Sequence, residues 1–155
     1  MKKHPPQAAS FSHLDETGAA RMVNVGTKPV QCRRAVATGI LVCQSSTLVA
    51  LKQKALPKGD VLTVAQIAGV QAVKKTADLI PLCHPLPVDH IEIRFKLSKN
   101  QIHITCAVQT SAKTGVEMEA LTGVSVAALT LYDMCKAVDK TMHIENIQVI
   151  EKVKQ

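Results

Sequence analysis

Asp133 and Lys136 stand three residues apart in the run L-T-L-Y-D-M-C-K-A-V. On a helix that spacing places a carboxylate and an amine on one face, close enough to touch. An exposed pair of this kind is an ordinary surface ion pair. This one interrupts an apolar stretch. If neighbouring cations or burial lower the lysine's pKa, the pair can move protons. Both readings stand on the spacing alone.

Other residues have types suited to a site. In I-P-L-C-H-P-L-P, residues 80–87, Pro81 and Pro85 bracket Leu82, Cys83 and His84. Prolines stiffen such a loop, because each fixes its own φ and pushes the preceding residue to extended geometry. The loop is either a rigid frame presenting backbone N–H groups and an imidazole to a ligand, or a rigid crossover with a solvated histidine. Lys58-Gly59-Asp60 precedes a helix start, where backbone N–H groups and the helix dipole favour anions. An ordinary loop lysine is the plainer alternative. Lys74 and Lys75 further along fit a solvated face. Thr114-Gly115-Val116-Glu117 has the form of a capping box, with Thr at the N-cap and Glu three residues on. That gives Glu117 a structural role, while Glu119, about 200° further round the helix, is free for another. His103 and Cys106 point to opposite faces of a strand. No zinc spacing is present, so no metal site is expected.

Composition narrows the partners. The chain has 155 residues, 46% hydrophobic and 20% charged, which suits one domain with a sizeable core. Nineteen Lys and Arg against twelve Asp and Glu leave a charge of +7, a surplus that favours an anionic partner. Phe11, Phe95 and Tyr132 are the only aromatics, too few for the stacking platforms of single-strand or RNA binders. A phosphorylated small molecule is therefore the leading ligand class, with no nucleic acid and no membrane. Five cysteines without C-x-x-C, and no secretory leader or spanning segment, suggest reduced thiols in the cytoplasm.

These residues need a scaffold. Residues 1–29, with three prolines and two glycines, read as a partly flexible N-terminal arm, and 30–155 as a single domain. A buried strand runs from Arg33 to Cys43, and Ser45 or Ser46 caps a helix to about Lys54. Asp60 caps a second helix from Val61 to about Leu79. Ile91, Ile93, Phe95 and Leu97, then Ile102, Ile104, Cys106 and Val108, alternate with more polar residues as a hairpin. A long helix runs from the 114–117 cap to about Val138, and a last strand covers Met142 to Val153. The order βαββαβ is that of an α+β, ferredoxin-like domain, an antiparallel sheet with helices on one face. The last helix is poor in charge and the far sheet face is not very polar, which favours self-association.

K-G-D with A-Q-I-A-G-V-Q-A-V-K-K-T, then D-L-I-P-L-C-H-P-L, K-T-G-V-E-M-E-A-L-T and L-Y-D-M-C-K-A-V-D-K, together resemble the MoaC family, the cyclic pyranopterin monophosphate synthases of molybdenum cofactor biosynthesis. The likeness runs from about Phe11 to Val153. It implies a lyase that converts 3′,8-cyclo-7,8-dihydroguanosine 5′-triphosphate to cyclic pyranopterin monophosphate, releasing pyrophosphate. It also implies a ferredoxin-like homohexamer, a trimer of dimers with sites at subunit interfaces, fed by an upstream radical S-adenosylmethionine enzyme. The family's catalytic positions fall on Asp133 and Lys136. Its substrate-binding positions fall on Leu82, Cys83, His84, Met118, Glu119 and Lys58, and Arg33, Lys74 and Glu117 match further polar positions of the pocket. Asn24 and Gln31 depart from common family residues. No cofactor is required by these motifs, and Mg²⁺ is compatible with them as charge relief for the pyrophosphate. The alternative is a non-catalytic ferredoxin-like module that binds RNA or a nucleotide.

Overall fold

The computed structural model describes residues 13–15, 17–53, 56 and 58–155. Four strands, β1 (Gln31–Val42), β2 (His90–Leu97), β3 (Gln101–Ala112) and β4 (His143–Lys154), form one antiparallel sheet in the order β2-β3-β1-β4. The helices α1 (Ser45–Lys52), α2 (Val61–Lys74), α3 (Thr76–Leu79) and α4 (Glu117–Cys135) complete the expected α+β, ferredoxin-like arrangement. Alternation makes the hairpin: Ile102, Ile104, Cys106 and Val108 of β3 are fully buried against the helices, while His103 and Thr105 point the other way.

Two helices carry the layer. α4 buries Ala120, Val124, Ala127, Ala128 and Leu131 completely, and it packs closely on α2 because glycines meet there. A Cβ at Gly123 would lie 2.7 Å from Cys106 Sγ and 2.8 Å from Val73 Cγ2, so no larger residue fits without displacement. Gly69 faces Gly123 and Ala127 while Lys58, just before α2, meets Asp133 near the end of α4. The two helices are thus antiparallel, and each end of α4 sits beside the opposite end of α2.

Four local expectations need correction. Asp60 caps α2 as expected, its carboxylate accepting from Thr63 N at 3.2 Å. α2 stops at Lys74, however, and a separate short helix opens at Thr76, whose buried hydroxyl donates to the carbonyls of Ala72 and Val73. Neither Ser45 nor Ser46 caps α1. Gln44 is its N-cap, and the buried Asp139 carboxylate accepts from Gln44 N at 2.7 Å and Thr47 Oγ1 at 3.0 Å. The capping box at Thr114 also does not form: Val116 is the N-cap without a side-chain cap bond, and Glu117 turns to Lys152 on β4 instead. α4 ends at Cys135, three residues short of the expected end.

Candidate active site

Asp133 lies in the last turn of α4 and Lys136 at its C-cap. Lys136 Nζ is 2.7 Å from Asp133 Oδ1, and Lys58 Nζ is 2.6 Å from Oδ2 and 3.2 Å from the Asp133 carbonyl. One carboxylate is therefore shared by two ammonium groups. Hydrogen bonds and charge from Lys136, then Lys58, hold the Asp133 pKa at about 2. Asp133 in turn raises that of Lys136. This corrects the expectation that burial or neighbouring cations lower it: all three side chains are about half exposed, and the nearest charge is negative. Within one chain the triad is a stable ion cluster with Lys136 in its proton-donating form.

Behind the triad the chain is firmly held. Asp139 is 1% exposed, and besides Gln44 and Thr47 it accepts from Thr141 N at 2.9 Å and Oγ1 at 2.8 Å. Burial pushes its pKa up, but these donors outweigh that and keep it below the usual range. The turn that follows Lys136 is thereby anchored to the start of α1. Sequence reasoning missed Asp139, whose only signal is its place in V-D-K-T.

The other expected residues gather at the opposite end of α4. A cavity of about 390 Å³ is lined by Leu82, Cys83, His84 and Leu86 from the proline loop. Thr114, Gly115, Glu117, Met118 and Glu119 line it from the α4 entry, and His13, Val23, Val25 and Lys28 from the arm. His84 Nε2–H donates to the Val23 carbonyl at 2.8 Å, since a carbonyl only accepts. The arm therefore orients the imidazole. It is tied down again where Lys113 Nζ donates to Gly26 O at 2.6 Å. The described part of the expected loose arm is thus a wall of the cavity. Asn24 Oδ1 accepts from Gly26 N at 2.8 Å, closing a tight turn. The arm's contributions were not legible, because carbonyl contacts leave no residue-type signature.

The two glutamates have opposite electrostatics. Burial pushes Glu117 up, but the hydrogen bond and charge of Lys152, with Arg33 beyond, bring it below its ordinary value. Glu119 is 4% exposed, and burial, with the Glu117 charge added, raises it. Burial and Glu119 likewise raise the Cys83 thiol, so Cys83 is protonated at neutral pH and lines the cavity without acting as a nucleophile. The sign for Glu119 follows. A raised folded pKa means the folded state holds the proton more tightly, so that stability is present below 4.5 and lost as pH rises through the raised value. Glu119→Gln is expected to melt progressively later than wild type as pH is raised from below 4.5 to 8. A melting difference that is the same at every pH would rule out the buried, proton-retaining Glu119.

The structure does not bring all the expected residues together. Lys58, Asp133 and Lys136 form one group, and Leu82, Cys83, His84, Glu117, Met118 and Glu119 the other. From Glu119 to Asp133 is about 21 Å along the helix axis. Arg33 lines a second cavity beside the first, while Lys74, the exposed last residue of α2, lines neither. Among the described residues no cluster of three or more His, Cys, Asp or Glu can hold a metal ion. Among them, too, no helix is long and apolar enough to cross a membrane.

Comparison with known proteins identifies the family. The chain is 54% identical over 144 residues to the cyclic pyranopterin monophosphate synthase of Chloroflexus aurantiacus, covering 92% of this chain and 88% of that one. The synthase of Natranaerobius thermophilus is 52% identical, over 92% and 91% of the two chains. A molybdenum cofactor biosynthesis bifunctional protein of Chlorobaculum tepidum is 54% identical over 92% of this chain but only 46% of its own length. The family model described as the MoaC family matches residues 22–154. The chain belongs to the MoaC family.

Proposed function

We propose that the chain is an enzyme of molybdenum cofactor biosynthesis, converting 3′,8-cyclo-7,8-dihydroguanosine 5′-triphosphate to cyclic pyranopterin monophosphate and pyrophosphate. Its relatives are named for that product. The observation that carries the mechanism is the distance between the triad and the cavity. A proton-transfer group must lie within hydrogen-bond reach of the atom it serves, and about 21 Å of helix is too far for one nucleotide to touch both ends. A second copy of the chain, bringing its triad to this cavity, completes the site.

Exposed apolar side chains suit such an interface: Val138 is 50% exposed beside the triad, and Met118 38% exposed at the cavity. We take the assembly to be a hexamer built as a trimer of dimers, located in the cytoplasm and receiving its substrate from a radical S-adenosylmethionine enzyme. In each site the cavity walls, with His84, Met118 and Glu119, hold the purine-derived rings. Lys136 donates protons and Asp133 keeps it charged and aimed. Lys58 shares that carboxylate and faces the anionic substrate. In the closing step a sugar-derived hydroxyl oxygen bonds to the α-phosphorus. The α–β phosphoanhydride bond breaks with its electron pair on pyrophosphate, and the hydroxyl proton passes to a carboxylate. The chain's own cations supply the charge relief, and a Mg²⁺ bound with the substrate would add to it.

The RNA-binding alternative has little to work with. Phe95 and Tyr132 are packed against the core, so neither is a stacking surface. The deciding experiment incubates the purified protein with the cyclised nucleotide and follows pyrophosphate and the mass of the cyclic phosphate product. Stoichiometric release of both is expected. Salt-dependent polynucleotide binding with no pyrophosphate would favour the binding module.

A further inference from the structure

Lys136 is aimed by its backbone rather than by its side chain. The side chain is 57% exposed, and among the described residues it is ion-paired to Asp133 alone. An ammonium on a flexible four-carbon stem does not fix its own position. Lys136 N donates to the Tyr132 carbonyl at 2.9 Å, and Val138 N and Asp139 N both donate to the Cys135 carbonyl, at 3.0 and 3.1 Å. These bonds close a tight turn over residues 136–139. Asp139 ties that turn to the rest of the fold.

The tie is an unusual choice for the task. Asp139 is a buried carboxylate whose four donors are all neutral. Its Oδ2 accepts from Gln44 N at 2.7 Å and Thr47 Oγ1 at 3.0 Å, and its Oδ1 from Thr141 N at 2.9 Å and Thr141 Oγ1 at 2.8 Å. Burying a charge among neutral groups is costly. A local serine cap would satisfy the α1 start without it, and Ser45 and Ser46 stand there unused as caps. A serine does not bridge, however. Each Asp139 oxygen takes one backbone N–H, from Gln44 on one side and Thr141 on the other, and neither N–H can reverse. An asparagine would turn its own NH₂ against one of them. Only two accepting oxygens join the α1 start, the turn after Lys136 and the entry to β4.

We propose that Asp139 is the positioning residue for Lys136, holding the turn that sets where the proton-donating amine stands. The assignment rests on the reaction proposed above. It gives the buried carboxylate a task in turnover that a local cap cannot perform.

The test combines kinetics with hydrogen exchange on the intact oligomer. Asp139→Asn is expected to lower kcat roughly a hundredfold, as a catalytic group displaced by a fraction of its length does. KM should stay near wild type, since the ring cavity lies at the other end of α4. Added to Lys136→Ala, the same change should lower the residual kcat no further, because no amine is left to misplace. The amides of Val138 and Asp139 should exchange about tenfold faster, as expected for one lost hydrogen bond to a charged group, with those of Ala127 and Ala128 unmoved. Thr141→Ala is an exposed change that removes one donor and keeps the carboxylate. It should act in the same direction by a smaller factor, on a core left intact. Ile93→Val, a core change on β2 that makes none of these contacts, should lower the melting temperature and leave kcat at wild type. A wild-type kcat in both Asp139→Asn and Thr141→Ala would overturn the proposal while leaving the reaction intact. So would an equal proportional loss with and without Lys136, which marks a purely structural role, or turn amides that exchange as in wild type. Faster turn exchange in Asp139→Asn, in a protein whose wild type forms no product, would keep the anchor and remove the reaction, and the positioning role with it.

Discussion

Lys136→Ala is expected to lower kcat by about a thousandfold, the middle of the range for a lost general acid or base, with the fold unchanged. The side chain is more than half exposed and, among the described residues, its only ion-pair partner is Asp133, so its removal leaves no buried group unpaired. Asp133→Asn tests the same triad from its other member, and its signature is in pH. Asp133 raises the Lys136 pKa above 10.5, so the wild-type proton donor stays charged through the working range. Without that carboxylate, and with the Lys58 ammonium still close by, the Lys136 pKa falls. The residual activity of Asp133→Asn should then decline on the basic side at a lower pH than wild type. On the acid side the sign is opposite. A depressed carboxyl pKa favours the ion cluster above the ordinary value of 3.8, and that contribution is lost only as pH falls through about 2. Activity lost at mildly acidic pH therefore belongs to another group. Near-wild-type turnover by Lys136→Ala, or an unshifted basic limb in Asp133→Asn, removes the proton-donor role.

The fold was largely legible because periodicity is local. Ile102, Ile104, Cys106 and Val108 alternate with wetter residues, and every one of them is buried as that alternation requires. Where local reading failed, a distant group had intervened. Thr114 and Glu117 have capping-box spacing, but Lys152, thirty-five positions on, offers Glu117 a full charge. Gly115 allows the turn, since a Cβ there would collide with the Glu117 carboxylate. Asp139 likewise displaces Ser45 and Ser46 from the capping role through a contact spanning ninety-five residues. The candidate site shows the same division. Residue types and short spacings identified the triad members and the proline loop. Their separation was legible in part, since Glu119 and Asp133 stand at the two ends of the one long helix expected from 114–117, but that Lys58 joins Asp133 follows from the antiparallel packing of α2 on α4 at Gly69 and Gly123. Lys28 had no motif at all, and only the net charge of +7 signalled it.

That separation makes the second large effect. Lys136→Ala and Glu119→Gln each disable a different part of the site, one at the C-terminal end of α4 and one at its N-terminal end. If each site takes its triad from one chain and its cavity from another, neither variant forms an intact site alone. Co-expressed in equal amounts, the two variants assemble mixed oligomers in which some sites join an intact triad from a Glu119→Gln chain to an intact cavity from a Lys136→Ala chain. Random pairing makes about a quarter of all sites intact, so activity should rise from near zero to about a quarter of wild type. The gain must appear only when chains can exchange. Mixing the purified variants without dissociation should leave activity at background, and dissociating and reassembling them should restore it. The control is a double variant, Lys136→Ala with Glu119→Gln on one chain, co-expressed with wild type. That pairing also leaves about a quarter of sites intact, but from half the chains being fully competent. A site confined to one chain gives a different pattern: no recovery from the two single variants, and about half activity with the double variant. The two arrangements therefore differ in both mixtures, so one pair of co-expressions distinguishes a shared site from a self-contained one.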